Sequence, residues 1–369
     1  MTPARSPEGS GRPAAAPATP ARRPSVRLLF LLPGGASLIL GLIAALVLIG
    51  VLELERFGPL HAPLLVFGFV GTLIVLERAV AIRQGWAYLG PALLGLGSLS
   101  LLAPIPDAVG KSAIALGFLS LLASYIVVWR RQPAAATAIQ VLGAVAALAT
   151  VLLWLGGVPV RELIPGMVVF LVLTIAGERL ELGRISPAVT KPVEAFGVGV
   201  SMLLTASVIA APLWPLLGYP LLGAALLALV AWAARFDVAV RLVRASGLPR
   251  FMAVCLLAGY AWLVVAGLVW LVLGQPSGWA YDTVVHAVFL GFVMSMIMAH
   301  APVILPAVLR VELPYRPFLY LPVALLHVTL ALRVLANARE WAEGVQAGGI
   351  GNIVAILLFV VLAVMGAKK

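Results

Sequence analysis

The chain has 369 residues, of which 63% are apolar and 11% are charged, and its formal net charge is +11. Soluble domains have about 25% charged residues, so the composition excludes a soluble globular protein. The positive charge falls mainly in short loops on one predicted side of a membrane, which indicates topology and not a nucleic-acid partner. The single cysteine, Cys255, excludes an internal disulfide and a zinc or iron–sulfur site built from cysteines.

The chain divides into a short tail and one long membrane domain. Residues 1–25 are rich in Pro, Ala and Arg, which predicts a disordered basic cytoplasmic tail. Residues 26–369 predict a single all-α transmembrane domain of twelve helices, with short connections that leave no room for a soluble domain. The first apolar run is too long for the core of a signal peptide, so it is predicted to be a true span. The predicted spans are 28–52, 60–82, 86–104, 109–129, 137–156, 162–182, 194–213, 217–235, 251–273, 281–309, 317–337 and 346–366.

The distribution of basic residues predicts the orientation of these spans. If the amino terminus is inside, the inner segments hold about four-fifths of the 25 Lys and Arg residues. An even number of spans then places both termini in the cytoplasm. We therefore expect a multi-pass protein of the plasma (inner) membrane, surrounded by lipid.

Three of the spans are similar to one another. The sequences of spans two, six and ten align without gaps. Glu77, Glu178 and His300 fall at one position of this alignment, and Gly68 is aligned with Gly291. Because these spans recur every four helices and run in the same direction, they predict three parallel four-helix repeats. The alternative is that apolar segments of this length always align to some degree.

His61 and His286 are the first pair of candidate ligands. They begin spans two and ten, which both run inward, so the two imidazoles are predicted at matching depth near the outer surface. Two neutral imidazoles at one depth can hold a haem iron between them. Gly68 and Gly291 lie further along the same spans and could let a flat macrocycle approach the backbone. The alternative is two interfacial histidines bonded to headgroups or loops.

His300 and His327 form a second candidate pair, near the middle of the membrane. Their distances from the loop between spans ten and eleven predict nearly equal depth. Adjacent helices are too close to enclose a haem, so a metal ion, a proton relay or a His–Glu hydrogen bond suits this pair better. A simple hydrogen-bonded pair within the bundle is the alternative.

Charged residues near the ends of the spans complete the set of candidates. Glu77 and Glu178, each followed by Arg, are interpreted either as interfacial ion pairs or as the cytoplasmic entry of a proton path toward His300. Arg333, after His327, is a candidate partner for a haem propionate, or else extends outward to the interface.

This arrangement resembles a known group of membrane proteins. Twelve spans in three four-helix repeats, with His61 on span two and His286 on span ten, resemble the catalytic subunit of haem–copper oxidases and nitric oxide reductases. The resemblance implies that His61 and His286 are axial ligands of a low-spin haem. Spans six and seven hold no histidine, so the copper ligands of the oxidases are absent from the sequence.

The chain is more similar to the NnrS family, polytopic haem- and copper-containing proteins linked to nitric oxide metabolism and nitrosative stress. It departs from that family in span two, where His61-Ala62-Pro63 stands in place of a His-x-His-Glu cluster. The resemblance implies haem, with copper or another metal ion as a further cofactor. It also implies a quinol or a cytochrome as electron donor. Without a Cys-x-x-Cys-His motif, the haem is expected to be a non-covalent haem b.

Three functional hypotheses follow from these residues. The first is a haem-binding integral membrane protein of electron transfer or of nitric oxide metabolism and response. The second is a proton-coupled transporter without haem, in which Glu77, Glu178 and His300 form the cavity. The third is a structural membrane subunit whose histidines only form hydrogen bonds.

Overall fold

The fold is known from a computed structural model, which describes residues 27–184, 189–309 and 314–366. The predicted tail, residues 1–25, lies outside this described part. Every regular element within the described ranges is helical, which confirms the all-α prediction. The long apolar helices also confirm a polytopic membrane protein.

Helices follow one another along the whole described chain and are numbered here in chain order. Eleven of them are long and apolar enough to cross a membrane. A shorter helix, α3, has only 12 residues and follows a 3₁₀ turn at Gly85–Tyr88, so it is shorter than the predicted third span. A single helical turn, Ala239–Leu242, also lies between α8 and α9. The helices are α1 Arg27–Leu48, α2 Gly58–Ile82, α3 Leu89–Ser100, α4 Asp107–Arg131, α5 Ala135–Leu155, α6 Val160–Gly183, α7 Lys191–Leu213, α8 Pro215–Phe236, α9 Gly247–Leu273, α10 Gly278–Pro306, α11 Pro317–Ala338 and α12 Ala342–Gly366.

Helix ends follow local sequence signals. Helix α4 begins with Asp107 in its first turn and ends with Arg130 and Arg131 in its last, which suits the helix dipole at both ends. Helix α9 ends at Gly274, whose φ of 68° is a conformation that favours glycine. The connections between consecutive helices are short, so these helices run antiparallel.

Helices adjacent in sequence pack side by side, and α6 lies at the centre. In the most apolar part of α6, 78% of the residues are buried, the largest share among the eleven long helices. Helix α12 returns to contact α1, so the bundle closes on itself. Large apolar side chains such as Leu216 and Val272 are exposed on the outside, as expected for a surface in contact with lipid.

Two of the helices contain a π-helical segment. In α2 it covers Leu64–Gly71, and in α10 it covers Ala287–Met294. The segments begin and end at corresponding positions of the ungapped alignment that pairs Gly68 with Gly291. Helix α6 is α-helical throughout. Each π segment therefore comes shortly after a candidate ligand, His61 in α2 and His286 in α10. Such π-helical insertions often mark functional sites.

The two ends of the bundle are named here by residues of α2. The end at which α2 begins is the His61 end, and the end at which it finishes is the Glu77 end. Helices α2, α6 and α10 run in the same direction, from the His61 end to the Glu77 end.

Candidate functional site

His61, His286 and Arg333 line one cleft at the His61 end, which is called the two-histidine cleft below. Its cavity volume is about 80 Å³, which is below the usual range for ligand pockets, so a haem would fit only if the apolar walls moved apart. Apart from these three residues and Asn352, the walls are apolar. The apolar residues come mainly from α1, α2, α10 and α12, and include Leu38, Leu42, Leu65, Phe69, Phe289 and Ile353.

His61 is held by the neighbouring helix α1. Its Nδ1 lies 2.9 Å from the carbonyl oxygen of Gly41. A carbonyl oxygen can only accept, so Nδ1 carries the proton and donates it. In the neutral imidazole the lone pair is then on Nε2. Gly41 packs against α2 so closely that a Cβ there would lie 2.6 Å from Leu65, which keeps the two helices in contact.

His286 is held in the same way by its own helix. Its Nδ1 lies 2.8 Å from the carbonyl oxygen of Asp282 and 3.1 Å from the Asp282 carboxylate. That carboxylate accepts two hydrogen bonds from Arg333, 3.0 Å from Nε and 2.7 Å from Nη2. Arg333 is buried in α11. The chain Arg333–Asp282–His286 therefore fixes the orientation of the imidazole ring.

The two histidines are hydrogen-bonded in the way that is common for metal-bound imidazoles. Metal-bound imidazoles almost always donate their other N–H to a carbonyl or carboxylate, which orients the ring. His61 and His286 both meet this condition, and no hydrogen bond to Nε2 of either occurs among the described residues. The residues present thus fit an iron or another metal held between two imidazoles.

Gly68 and Gly291 have a different role from the one expected. A Cβ on Gly68 would lie 2.6 Å from Ser37 Oγ, and a Cβ on Gly291 would collide with Trp262. Both glycines therefore face neighbouring helices, and neither lines the two-histidine cleft. The expectation that they let a macrocycle approach the backbone is wrong, because their open sides are filled by helix packing.

His300 lies toward the Glu77 end, in a hydrogen-bonded group with residues from three other parts of the chain. Its Nδ1 donates to the carbonyl oxygen of Met296 at 2.7 Å, and its Nε2 lies 3.5 Å from Arg179 Nη1. Arg179 also donates to both carboxylate oxygens of Asp237, at 2.8 and 2.7 Å. Tyr260 donates to the same carboxylate at 2.7 Å.

Asp237 follows α8 directly and lies outside the spanning helices. Burial alone would raise the pKa of its carboxyl group, but the hydrogen bonds and charge of Arg179 outweigh that effect. Further bonds from the Ala239 N–H and the Tyr260 hydroxyl act in the same direction, so the pKa lies below its ordinary value. Asp237 is therefore a carboxylate near neutral pH.

His327 has its own partners, so the structure does not bring it together with His300. The Trp262 indole donates to Nδ1 at 3.0 Å, and Ser295 Oγ lies 3.3 Å from Nε2. Because Nδ1 accepts, the neutral ring carries its proton on Nε2. Among the residues that the structure describes, no group of three or more His, Cys, Asp or Glu side chains could hold a metal ion.

Glu77 and Glu178 lie close together at the Glu77 end. Arg78 Nη2 lies 3.6 Å from Glu178 Oε1, so the ion pair joins α2 to α6. Glu77 and Glu181 lie within electrostatic range of the same pair. These four residues are called the arginine–carboxylate cluster below.

Sequence reasoning missed two carboxylates that position the candidates. Asp282 lies one turn before His286, and an Asp-x-x-x-His spacing within a helix is a signal that could have identified it. Asp237 gives no such signal, because its partner Arg179 is distant in sequence and the two meet only when α6 and α8 pack.

The fold and the cleft define the class of this chain: an all-α, polytopic membrane protein with two oriented histidines at one end of its bundle. Residues 27–368 match the family model described as "Domain of unknown function (DUF8744)", and the chain belongs to that family. Searches among curated proteins and among solved structures give no match.

Proposed function

We propose that this chain is a haem-binding integral membrane protein of electron transfer or of nitric oxide metabolism and response. His61 and His286 are its axial ligands, and the haem is a non-covalent haem b. The observation that carries the proposal is that both imidazoles line one apolar cleft. Each has its Nδ1 proton engaged by a carbonyl group, which leaves Nε2 for iron.

The surroundings of the ligands support the same function. A bound haem supplies an iron that changes oxidation state by one electron, and burial and hydrogen bonding around the ligands set its potential. Asp282 accepts from His286 and so orients that imidazole, while His61 has only a carbonyl partner. Arg333 lies in the wall of the cleft and remains our candidate for a propionate contact.

Other parts of the proposal depend on the sequence. The nitric oxide role comes from the resemblance to the NnrS family, as do copper or another metal ion and a quinol or cytochrome donor. The basic-residue count supports an orientation with both termini cytoplasmic. A location in the plasma membrane is part of the same proposal. Three parallel four-helix repeats are also part of the proposal, and the matching π segments support the relation between α2 and α10.

The decisive experiment is an optical spectrum of the detergent-purified protein, oxidised and then reduced with dithionite. We expect a sharp α-band on reduction. His61→Ala and His286→Ala should each abolish this band, because one imidazole cannot keep the iron six-coordinate and low-spin. His327→Ala is the matched control, since both nitrogens of His327 already have protein partners outside the cleft. A spectrum unchanged in either ligand variant would refute the assignment.

A proton-coupled transporter without haem is the second candidate. The arginine–carboxylate cluster favours it, because ionisable groups within a membrane domain commonly mark ion or proton routes. The same spectrum separates the two candidates, since a transporter purified without haem would show no α-band. In that case, loss of proton-driven uptake in Glu178→Gln would support the transporter.

A further inference from the structure

The helices around α2 hold a row of buried hydroxyl groups that have no hydrogen-bond partner in the described protein. Buried polar groups are normally paired with protein or with ordered water. Six hydroxyl oxygens lack a protein partner in the described residues, and five of them lie along α2 or on helices that pack against it. These five, called the hydroxyl row below, belong to Ser37, Thr72, Ser98, Ser120 and Tyr125.

This grouping differs from the behaviour of other hydroxyls in the bundle. Serine and threonine in a membrane helix usually donate to the carbonyl one turn earlier. Thr150 and Thr174 do so here, each at 2.7 Å, and Ser295 does so at 2.7 Å. The unpaired hydroxyls are therefore concentrated around one helix instead of being spread through the bundle.

The row begins at the middle of α2, within its π segment. A Cβ placed on Gly68 would lie 2.6 Å from Ser37 Oγ on α1 and 2.8 Å from Ser98 Cβ on α3. The next member, Thr72, lies one turn further along α2 and packs against Gly34. All three hydroxyl-bearing side chains are fully buried.

The row then continues to the Glu77 end. Ser120 Oγ would lie 3.0 Å from a Cβ on Gly90, next to Val75 of α2. Tyr125 is fully buried, and the guanidinium carbon of Arg78 lies 5.4 Å from the centre of its ring. Gly68, Thr72 and Val75 share one face of α2, because they are four and three residues apart. The row thus follows a single face of the helix.

Both ends of the row adjoin groups that can exchange protons. At the Glu77 end it reaches the arginine–carboxylate cluster, in which Arg78 Nε also lacks a protein partner. At the other end, Ser37 is the chain neighbour of Leu38, which lines the two-histidine cleft. Phe69 and Val70, beside Gly68, line that cleft as well, so the row and the cleft overlap in depth.

We propose that the hydroxyl row binds a file of water molecules that carries protons between the arginine–carboxylate cluster and the two-histidine cleft. A hydroxyl group can both donate and accept a hydrogen bond. Each oxygen therefore passes its proton to the following oxygen and receives a proton from the preceding one. Only O–H bonds break and form, and no net charge is left behind. The water file rests on the hydroxyls and not on haem, so it can be tested in protein without haem.

The water itself can be detected by X-ray radiolytic labelling of the purified full-length protein, read by mass spectrometry. Hydroxyl radicals formed from bound water oxidise the side chains next to it. Tyr125 should be oxidised several-fold faster than Tyr260, another buried tyrosine, whose hydroxyl is bonded directly to Asp237. Equal labelling of the two tyrosines would overturn the proposal.

Proton transfer is tested in proteoliposomes that enclose a pH indicator, with a potassium diffusion potential set by valinomycin. Thr72→Val replaces the hydroxyl by a methyl group of similar size and should slow proton entry several-fold. Thr174→Val is the matched control, because Thr174 is equally buried but already donates to Phe170. Ser98→Ala should slow proton entry as Thr72→Val does. The same effect in both variants would show that it does not come from a packing defect at one position.

The outcomes separate this proposal from the proposed function. Labelled Tyr125 with slowed entry in Thr72→Val and Ser98→Ala supports the proton path, whatever the optical spectrum shows. Labelled Tyr125 with unchanged entry in both variants overturns the proton path, and a haem spectrum would still stand.

Discussion

Arg333 and Asp282 form a two-point ion pair between α11 and α10, with hydrogen bonds of 3.0 and 2.7 Å. The same carboxylate lies 3.1 Å from His286 Nδ1. One aspartate therefore joins a buried arginine to a candidate ligand. Its removal should lower both the stability of the bundle and the affinity of the cleft for haem.

We predict that Asp282→Asn weakens haem binding by about 10- to 100-fold, the usual effect of losing an outer partner of a ligating histidine. It should also destabilise the fold, because a buried arginine without its carboxylate typically costs about 3–5 kcal/mol. Haem titration and thermal unfolding in detergent measure the two effects. Glu194→Gln, which breaks a more exposed pair with Arg184, is the control and should change neither. Unaltered haem affinity in Asp282→Asn would show that this carboxylate does not support a ligand.

The Arg179–Asp237 pair predicts a dependence of stability on acid. The folded pKa of Asp237 is lowered, so its carboxylate stabilises the fold above the ordinary aspartate value of about 3.9. That contribution disappears as the pH falls through the lower, folded pKa. Asp237→Asn should therefore be less stable at neutral pH and should lose less further stability in acid than the unmodified protein. Thermal unfolding across this pH range is the measurement.

The control for this experiment is Glu53→Gln, in the exposed connection between α1 and α2. It should have the same acid dependence as the unmodified protein. If Asp237→Asn and the unmodified protein lose stability in parallel as the pH falls, the pair with Arg179 does not cause the acid sensitivity.

His300→Ala should leave the reduced α-band intact. His300 is bonded to Met296 and lies beside Arg179, and it does not line the two-histidine cleft. His300→Leu should also fold, because an apolar side chain suits a largely buried position. Haem spectra and metal analysis of both variants test this, and loss of the α-band in His300→Ala would make His300 an axial ligand. Loss of a second bound metal with an intact band would support the metal role predicted for His300.

The basic-residue count predicts that both termini are cytoplasmic. A reporter that is active only outside the cytoplasm, fused after Lys369, should therefore give no signal. The same reporter inserted at Gly157, in the loop between α5 and α6, should give a strong one. The reverse pattern would place the two-histidine cleft on the cytoplasmic side.

The sequence predicted the class of fold well because long apolar runs leave few alternatives to membrane helices. The α-helical part of the predicted third span is shorter than expected, because Gly85–Tyr88 forms a 3₁₀ turn before Leu89–Ser100. Apolar composition alone does not distinguish a full span from a short buried helix.

The candidate site was predictable to the extent that its residues are unusual in a membrane. Histidines and carboxylates stand out in apolar helices, so His61 and His286 of the cleft and Glu77 and Glu178 of the cluster were singled out, while Glu181 was not. Their partners were harder to find, because Gly41 contributes only a carbonyl group and Trp262 contacts His327 across a helix interface. Spacing along one helix also could not reveal the π segments, which change the rotation of everything that precedes them.

The two π-helical segments have a consequence for how this fold can change. One extra residue in a helix turns everything on one side of it by about 100° relative to the other side. A single insertion or deletion within Leu64–Gly71 can therefore re-aim the start of α2 while the ion pair of Arg78 keeps its place. Each of these helices can thus gain or lose functional side chains at one membrane surface while the side chains at the other surface keep their positions. Mutation can therefore change the two surfaces separately.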